Sequence, residues 1–287
     1  MDLSIIIVSF NTGSLLDACL SSIEKTVAHS TFTHETIVVE NGSTDNTKKI
    51  LETHSNHVRV LWNQENIGFG KANNQAILAA SGAFVLILNS DTVLYPHAVE
   101  RLVAYARKHP RAFIGPKLLN PDGSPQTSCG PFFSLPVVFA ALFLKGDTIG
   151  LTRFSPSTAR RVDWVSGACI ITSRNNFLDG LFFDEQIFMY MEEVELLMRA
   201  KKKGYLTYFY PHARIMHVGT GSSKEKAQPV INIYKGILYI YSKHYGPIEG
   251  FIVRILLKTK AAVAWCIGML TGNQALVSTY GKAYQLV

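Results

Sequence analysis

Ser4-Ile5-Ile6-Ile7-Val8-Ser9-Phe10-Asn11 is an unbroken apolar, largely β-branched run that stops at hydroxyl and amide side chains. Two later stretches repeat its form. One runs through Ile37-Val38-Val39 into Glu40-Asn41-Gly42-Ser43-Thr44-Asp45, and the other through Val85-Leu86-Ile87-Leu88 into Asn89-Ser90-Asp91. Apolar runs without alternation are what strands covered on both faces by helices require. Polar residues gathered at their ends predict a mostly parallel sheet whose carboxyl edge opens onto a ligand crevice.

The intervening sequence supplies the helices. Leu15, Leu16, Cys19, Leu20 and Ile23 recur at helical spacing, and Thr44-Asp45-Asn46-Thr47 can cap a second helix over 48–53. A strand is expected over 58–62, then a glycine-bearing loop, Asn66-Ile67-Gly68-Phe69-Gly70-Lys71, feeding a helix over 72–80. Pro96 is expected to open a further helix to about residue 108. From 115 to 161 the pattern loosens into what reads as long functional loops. Regular structure resumes over 162–172, and a helix over 192–203 is ended by Gly204. The alternation predicts a doubly wound α/β domain.

Composition narrows the class. A chain of 287 residues holds one sizeable α/β domain and an appendage. The four cysteines, Cys19, Cys129, Cys169 and Cys266, match no zinc or redox spacing and read as buried small hydrophobes in a reducing compartment. The formal charge is +7, and residues 226–287 carry seven bases against one acid, Glu249, a net +6. Basic, aliphatic and aromatic residues together predict a helical tail lying on an anionic membrane surface rather than on nucleic acid. In its first helix Ile233, Ile237, Ile240 and Tyr241 face one way, with Asn232, Lys235 and Lys243 on another. A packing subdomain or a homodimer interface would account for the same tail. No apolar segment reaches the roughly 20 residues of a span, and the start of the chain lacks signal-peptide form. A cytoplasmic protein, peripheral on the inner face of the membrane, is the expectation.

Three further clusters carry chemistry. Asp91 at a strand tip can bind a hard divalent cation that keeps positions for phosphate oxygens, although aspartate there also serves as a cap. Glu192 and Glu193 open a helix behind Met189-Tyr190-Met191. That is where the helix dipole favours acids, and also where a general base beside a cleft is held rigidly. Glu195 can pair with Arg199 four residues on. His217, before Val218-Gly219-Thr220-Gly221-Ser222-Ser223, can complete a metal site or simply pack as a satisfied histidine.

In their order, these motifs resemble inverting glycosyltransferases of family 2, and most of all the rhamnosyltransferase-like branch. The resemblance also rests on Trp164-Val165-Ser166-Gly167-Ala168 and spans about residues 3–225. It implies a GT-A fold over 1–225, with 226–287 as the basic helical appendage, and a nucleotide-sugar donor bound through Mg or Mn. Glu40 and Asp45 would lie near base and ribose, and Gly68, Lys71 and Asn74 would shape the nucleotide pocket. Ser9, Asn11, Asn41 and Asn89 would complete that set. Asp91 would bind metal with His217, and Glu193 would be the catalytic base. Glu192, Trp164, Gly167 and Ala168 would line the acceptor pocket. The implied donor is dTDP-L-rhamnose, with UDP-galactofuranose or another UDP-hexose as the alternative, and the acceptor is a lipid-linked saccharide of cell-surface polysaccharide synthesis. The family usually has aspartate where this chain has Glu40 and Glu193. An inactive nucleotide-sugar-binding or lipid-binding scaffold is therefore the non-enzymatic alternative.

Overall fold

The computed structural model describes residues 1–28, 30–219 and 227–287. Strand β1 (Leu3–Ser9) leads through helix α1 (Gly13–Val27) to β2 (His34–Asn41), α2 (Thr47–Thr53), β3 (Arg59–Asn63), α3 (Phe69–Ala79) and β4 (Phe84–Asn89). Then come β5 (Thr92–Leu94), α4 (Ala98–Lys108), β6 (Ala112–Leu119), β7 (Pro125–Gln126), β8 (Cys129–Gly130) and α5 (Leu135–Phe143). Short β9 (Arg160–Arg161) and β10 (Trp164–Val165) precede β11 (Cys169–Ser173), α6 (Arg174–Leu178), α7 (Glu192–Lys202) and the long β12 (Leu206–His217). Three helices close the chain: α8 (Ala227–His244), α9 (Pro247–Thr271) and α10 (Gln274–Leu286).

The main sheet runs β3-β2-β1-β4-β11-β6-β12-β5. Strands β3, β2, β1 and β4 are parallel neighbours, as are β6 and β12, while β11 is inserted antiparallel between β4 and β6. Ile6 packs with Ile37, Val39, Val85 and Ile87 on one face of the sheet. Leu3, Ile5 and Ile7 pack with Val38, Leu86 and Leu88 on the other. Both faces are covered, which is why these strands show no polar alternation.

Three sequence expectations need correction. The stretch read as loop from residue 115 contains most of β6, an interior strand of the sheet. Its signature is broken by Gly115 and Pro116. A Cβ on Gly115 would come within 2.5 Å of Val165, and Pro116 sits opposite the irregularity of β12 between Tyr210 and Arg214, where a missing N–H is tolerated. Helix α4 begins at Ala98 rather than Pro96, after His97 in the left-handed region at φ 63°. Cys266 is exposed, whereas Cys19, Cys129 and Cys169 are buried.

The tail is packed onto the body. Tyr234, Ile237, Ile240 and Tyr241 of α8 are buried in the same cluster as Ile6 and Val85, and the Tyr241 hydroxyl donates to the Phe133 carbonyl at 2.8 Å. The apolar face of α8 is therefore spent on the protein, and Asn232, expected on the polar face, is buried too. Outward apolar side chains belong instead to α9, among them Phe251, Ile255 and Leu270. No helix among the described residues is long and apolar enough to cross a membrane.

Candidate active site

The strand ends meet as expected. Ser9 and Thr12 share a hydroxyl hydrogen bond of 2.9 Å, and Thr12 shares another of 2.9 Å with Ser90, tying the end of β1 to the end of β4. In front of them lies an open cavity of about 430 Å³. Asn41, Asn89, Asp91, Gly167, Ala168, Glu192, Glu193 and His217, all predicted from the sequence, line it together.

The remaining predicted residues stand off this wall, and each has a local task. Glu40 accepts from the Gly42 and Ser43 amides at 3.2 and 2.7 Å, shaping the turn after β2. Asn11, at φ 54°, accepts from the Thr44 amide, while Asp45 accepts from the Gly13 and Thr47 amides. Gly68, at φ 90°, lies so close to Phe188 that a Cβ would meet its carbonyl oxygen at 2.7 Å. Lys71 is exposed. Asn74 and Trp164 require correction as pocket residues. Asn74 is buried, donating to the Phe183 carbonyl and accepting from its amide. Trp164 is 2% exposed and donates its indole N–H to the Pro131 carbonyl at 2.8 Å.

In the cavity wall, His217 Nε2 lies 3.3 Å from Asp91 Oδ1. Gln126 fixes the ring. Its Nε2 donates to Asn120 Oδ1 and to the His217 carbonyl, leaving Oε1 to accept from His217 Nδ1 at 2.7 Å. With Nδ1 as donor, the Nε2 lone pair is met by the Asn89 amide nitrogen at 3.4 Å beside the Asp91 carboxylate, and a cation can take the place of that weak contact. The Asn89 Oδ1 atom beside them is buried without a hydrogen-bond partner. Asp91 Oδ2 accepts from the Gly219 amide at 3.0 Å, which orients the carboxylate. Among the described residues no three His, Cys, Asp or Glu side chains cluster as a self-sufficient metal cage. One carboxylate, one imidazole and one amide oxygen fit a hard divalent cation that takes its other ligands from phosphate and water. Residues 220–223 of the predicted glycine-serine loop lie outside the described residues.

Lining the same cavity, Glu192 and Glu193 open α7 after Tyr190 and Met191, both in the left-handed region at φ 67° and 77°. Two successive non-glycine residues there are strained, and the helix that follows is packed in place. The Gly167 amide faces Glu193 Oε1 at 3.4 Å, whereas Oε2 of each glutamate is buried without a partner. Burial pushes the Glu192 carboxyl well above its ordinary pKa, and the Glu193 charge adds to the rise. Burial likewise raises Glu193, with backbone hydrogen bonds and the Arg153 guanidinium pulling the other way. A raised carboxyl favours the neutral form, so the ionised base accumulates only above the usual carboxylate range. The acid limb of a kcat profile is expected there, rising with pH. Because Glu192, pushed well higher by the Glu193 charge, is still neutral while Glu193 ionises, Glu192→Gln should leave that limb in place. Raised carboxyls stabilise the fold at low pH and lose that contribution as pH climbs through their folded values. Glu192→Gln should therefore raise Tm at pH 8 by roughly 2 °C, and a pH series of melting curves checks it.

Glu195 lies one turn behind the pair, with its side chain wholly buried. It receives Arg199, as its spacing predicted, and also Lys243 at 2.8 Å and His244 at 3.0 Å from α8. Burial tends to raise this carboxyl, but the hydrogen bonds from Arg199 and Lys243 outweigh it and hold its pKa low. Sequence reasoning missed Gln126 and Arg153, which come from the stretch without periodicity, and missed the two partners from the tail, the Lys243 ammonium and the His244 imidazole, whose pKa burial lowers.

Residues 4–127 match the model of glycosyl transferase family 2. Over 235 residues the chain is 29% identical to N-acetylglucosaminyl-diphospho-decaprenol L-rhamnosyltransferase of Mycobacterium tuberculosis, covering 75% of each chain. It is 31% identical over 113 residues to a UDP-Glc:alpha-D-GlcNAc-diphosphoundecaprenol beta-1,3-glucosyltransferase of Escherichia coli, covering 39% of this chain and 43% of that one. Among solved structures, Staphylococcus aureus TarS 1-349 superposes with a TM-score of 0.55 at 17% identity, over 99% of this chain and 90% of that one. GalNAc-T7 with UDP, GalNAc and Mn2+ superposes at 0.60 and 16% identity, over 83% and 47%. The strand-end crevice, the acids along it and these likenesses agree: the chain is a glycosyltransferase of GT-A fold that carries a family 2 domain.

Proposed function

We propose that the protein transfers a sugar, foremost L-rhamnose from dTDP-rhamnose, with inversion, to a hydroxyl of a lipid-linked saccharide during surface-polysaccharide synthesis. The observation that carries this reading is a single cavity lined both by Asp91, His217 and Asn89 and by Glu193, whose Oε2 is buried without a partner. The similarity to the mycobacterial rhamnosyltransferase supports rhamnose and a polyprenyl diphosphate acceptor. The Escherichia coli relative supports a second reading, a UDP-hexose donor.

Asp91 and His217, with Asn89, would hold the cation. A divalent ion there would act as a Lewis acid toward the donor's diphosphate. The remaining chemistry is the chain's own. Asn41, Thr12 and Ser90, which line the cavity, are assigned to the donor, and Gly167 and Ala168, which line it too, to the acceptor. Glu193 takes the acceptor proton as the acceptor oxygen bonds to the anomeric carbon. The bond to the diphosphate breaks with its electron pair leaving on oxygen, so no covalent enzyme intermediate forms. Binding at the cytosolic membrane surface is assigned to the basic tail, with Phe251, Ile255 and Leu270 of α9 facing out.

A thermal-shift screen of dTDP-rhamnose and UDP-sugars with and without Mn tests the reading. A donor at 100 times its Kd adds about 2.7 kcal/mol, which is expected to raise Tm by on the order of 5 °C. Asp91→Ala should erase the metal-dependent part of that shift. A protein that no nucleotide sugar stabilises would be inconsistent with the proposal.

A further inference from the structure

Arg153 has no task in the reaction as written, yet it is the only Lys or Arg among the described residues that line the cavity. Its place is built. Thr152 before it is buried and bonded to Asp147, and Phe154 after it exchanges backbone hydrogen bonds with Cys129. The guanidinium lies 5.3 Å from the centre of the Trp164 ring, and Trp164 is itself fixed by its bond to Pro131. The one ion pair that Arg153 makes among the described residues, with Asp147, is long at 3.9 Å, so its planar fork of donors is largely uncommitted. It lines the same cavity as Glu193 and acts electrostatically on that carboxyl.

The segment that delivers Arg153 carries outward-facing apolar side chains, with the exposed Lys145 and Asp147 among them. Leu144, Ile149 and Leu151 are exposed, and α5, which precedes them, packs on α9. A cation at a cavity mouth with greasy side chains just outside it complements an anionic head on an isoprenoid chain.

We propose that Arg153 binds the diphosphate of a polyprenyl diphosphate-linked acceptor, the isoprenoid leaving over Leu144, Ile149 and Leu151. The site rests on the acceptor class proposed above, and guanidinium geometry suits it because two parallel N–H donors match phosphate oxygens. Trp164 then acts through Arg153 rather than by touching substrate.

The test is calorimetric binding of farnesyl diphosphate in EDTA, which leaves the donor site without metal. Arg153→Ala and Arg153→Met are expected to weaken binding about tenfold to a hundredfold, the second keeping an aliphatic stem over Trp164 should the first fold poorly. Arg153→Lys should fall between. Farnesyl monophosphate and inorganic diphosphate should each bind more weakly than farnesyl diphosphate to the unaltered protein. Affinity for dTDP or UDP with Mn should not change in the variants. Equal binding of farnesyl diphosphate by Arg153→Met and the parent, displacement of it by nucleotide, or inorganic diphosphate binding as tightly as the lipid would each overturn the assignment. Failure of every nucleotide sugar in the thermal screen, with Arg153-dependent farnesyl diphosphate binding intact, would remove the proposed donor and metal reading and leave this site standing.

Discussion

Glu193→Gln is expected to lower kcat by about 10²- to 10⁴-fold, the range over which a positioned general base contributes. The amide keeps the shape of the carboxylate and can hold the Gly167 contact, but it cannot accept the acceptor proton. The loss should therefore fall on kcat with little change in donor affinity, which a paired measurement of turnover and nucleotide binding resolves. Glu193→Asp, which restores the shorter acid usual in the family, retracts the carboxylate by one methylene. Because Glu193 is anchored at the rigid start of α7, that displacement should lower kcat in this pocket as well. Full turnover in Glu193→Gln would transfer the role to Glu192, whose buried and partnerless oxygen is the neighbouring candidate.

The second large effect is on stability. Glu195→Gln leaves the Arg199, Lys243 and His244 side chains around a buried group that no longer carries charge. Breaking a buried, hydrogen-bonded ion pair from one side costs about 3 kcal/mol or more, so Tm should fall by roughly 6 °C or more. Since the folded-state pKa of Glu195 is depressed, its contribution is present above the unfolded carboxylate value and lost as pH falls through the lower folded one. The gap between parent and variant should thus be full at neutral pH and close in strong acid, which melting curves at pH 7 and pH 3 compare. A variant as stable as the parent at pH 7 would mean that solvent, not Glu195, compensates the cations.

The same physics explains what could be read from the sequence. Strands β1, β2 and β4 were legible because burial on both faces demands unbroken apolar runs, and their ends marked Asn41, Asn89 and Asp91. Glu193 and His217 were legible by residue type and order. Strand β6 was not, because Gly115 is required by the approach of Val165 and Pro116 is tolerated opposite the irregularity of β12, neither of which leaves a period-2 trace. Gln126 and Arg153 reach the cavity through tertiary placement of irregular chain, and local sequence carries no signal for that. Trp164 was placed in the acceptor pocket only by the resemblance of its motif, whereas here its indole N–H is held by Pro131 and its ring lies beside the Arg153 guanidinium. The tail was read from its composition as a membrane face, yet α8 turns that composition inward.

Tyr190 and Met191 hold left-handed backbone conformations directly before the acidic pair, and Gly236 of α8 backs onto them so tightly that a Cβ would come within 2.7 Å of Met191. Synthesis gives that contact a direction in time. The acids, the imidazole and the strand ends all leave the ribosome before α8 does, so a nascent chain can own every group that the chemistry uses while the turn presenting Glu193 still lacks its backing. On the proposed assignment, the turn that presents Glu193 is completed only when α8 docks behind it.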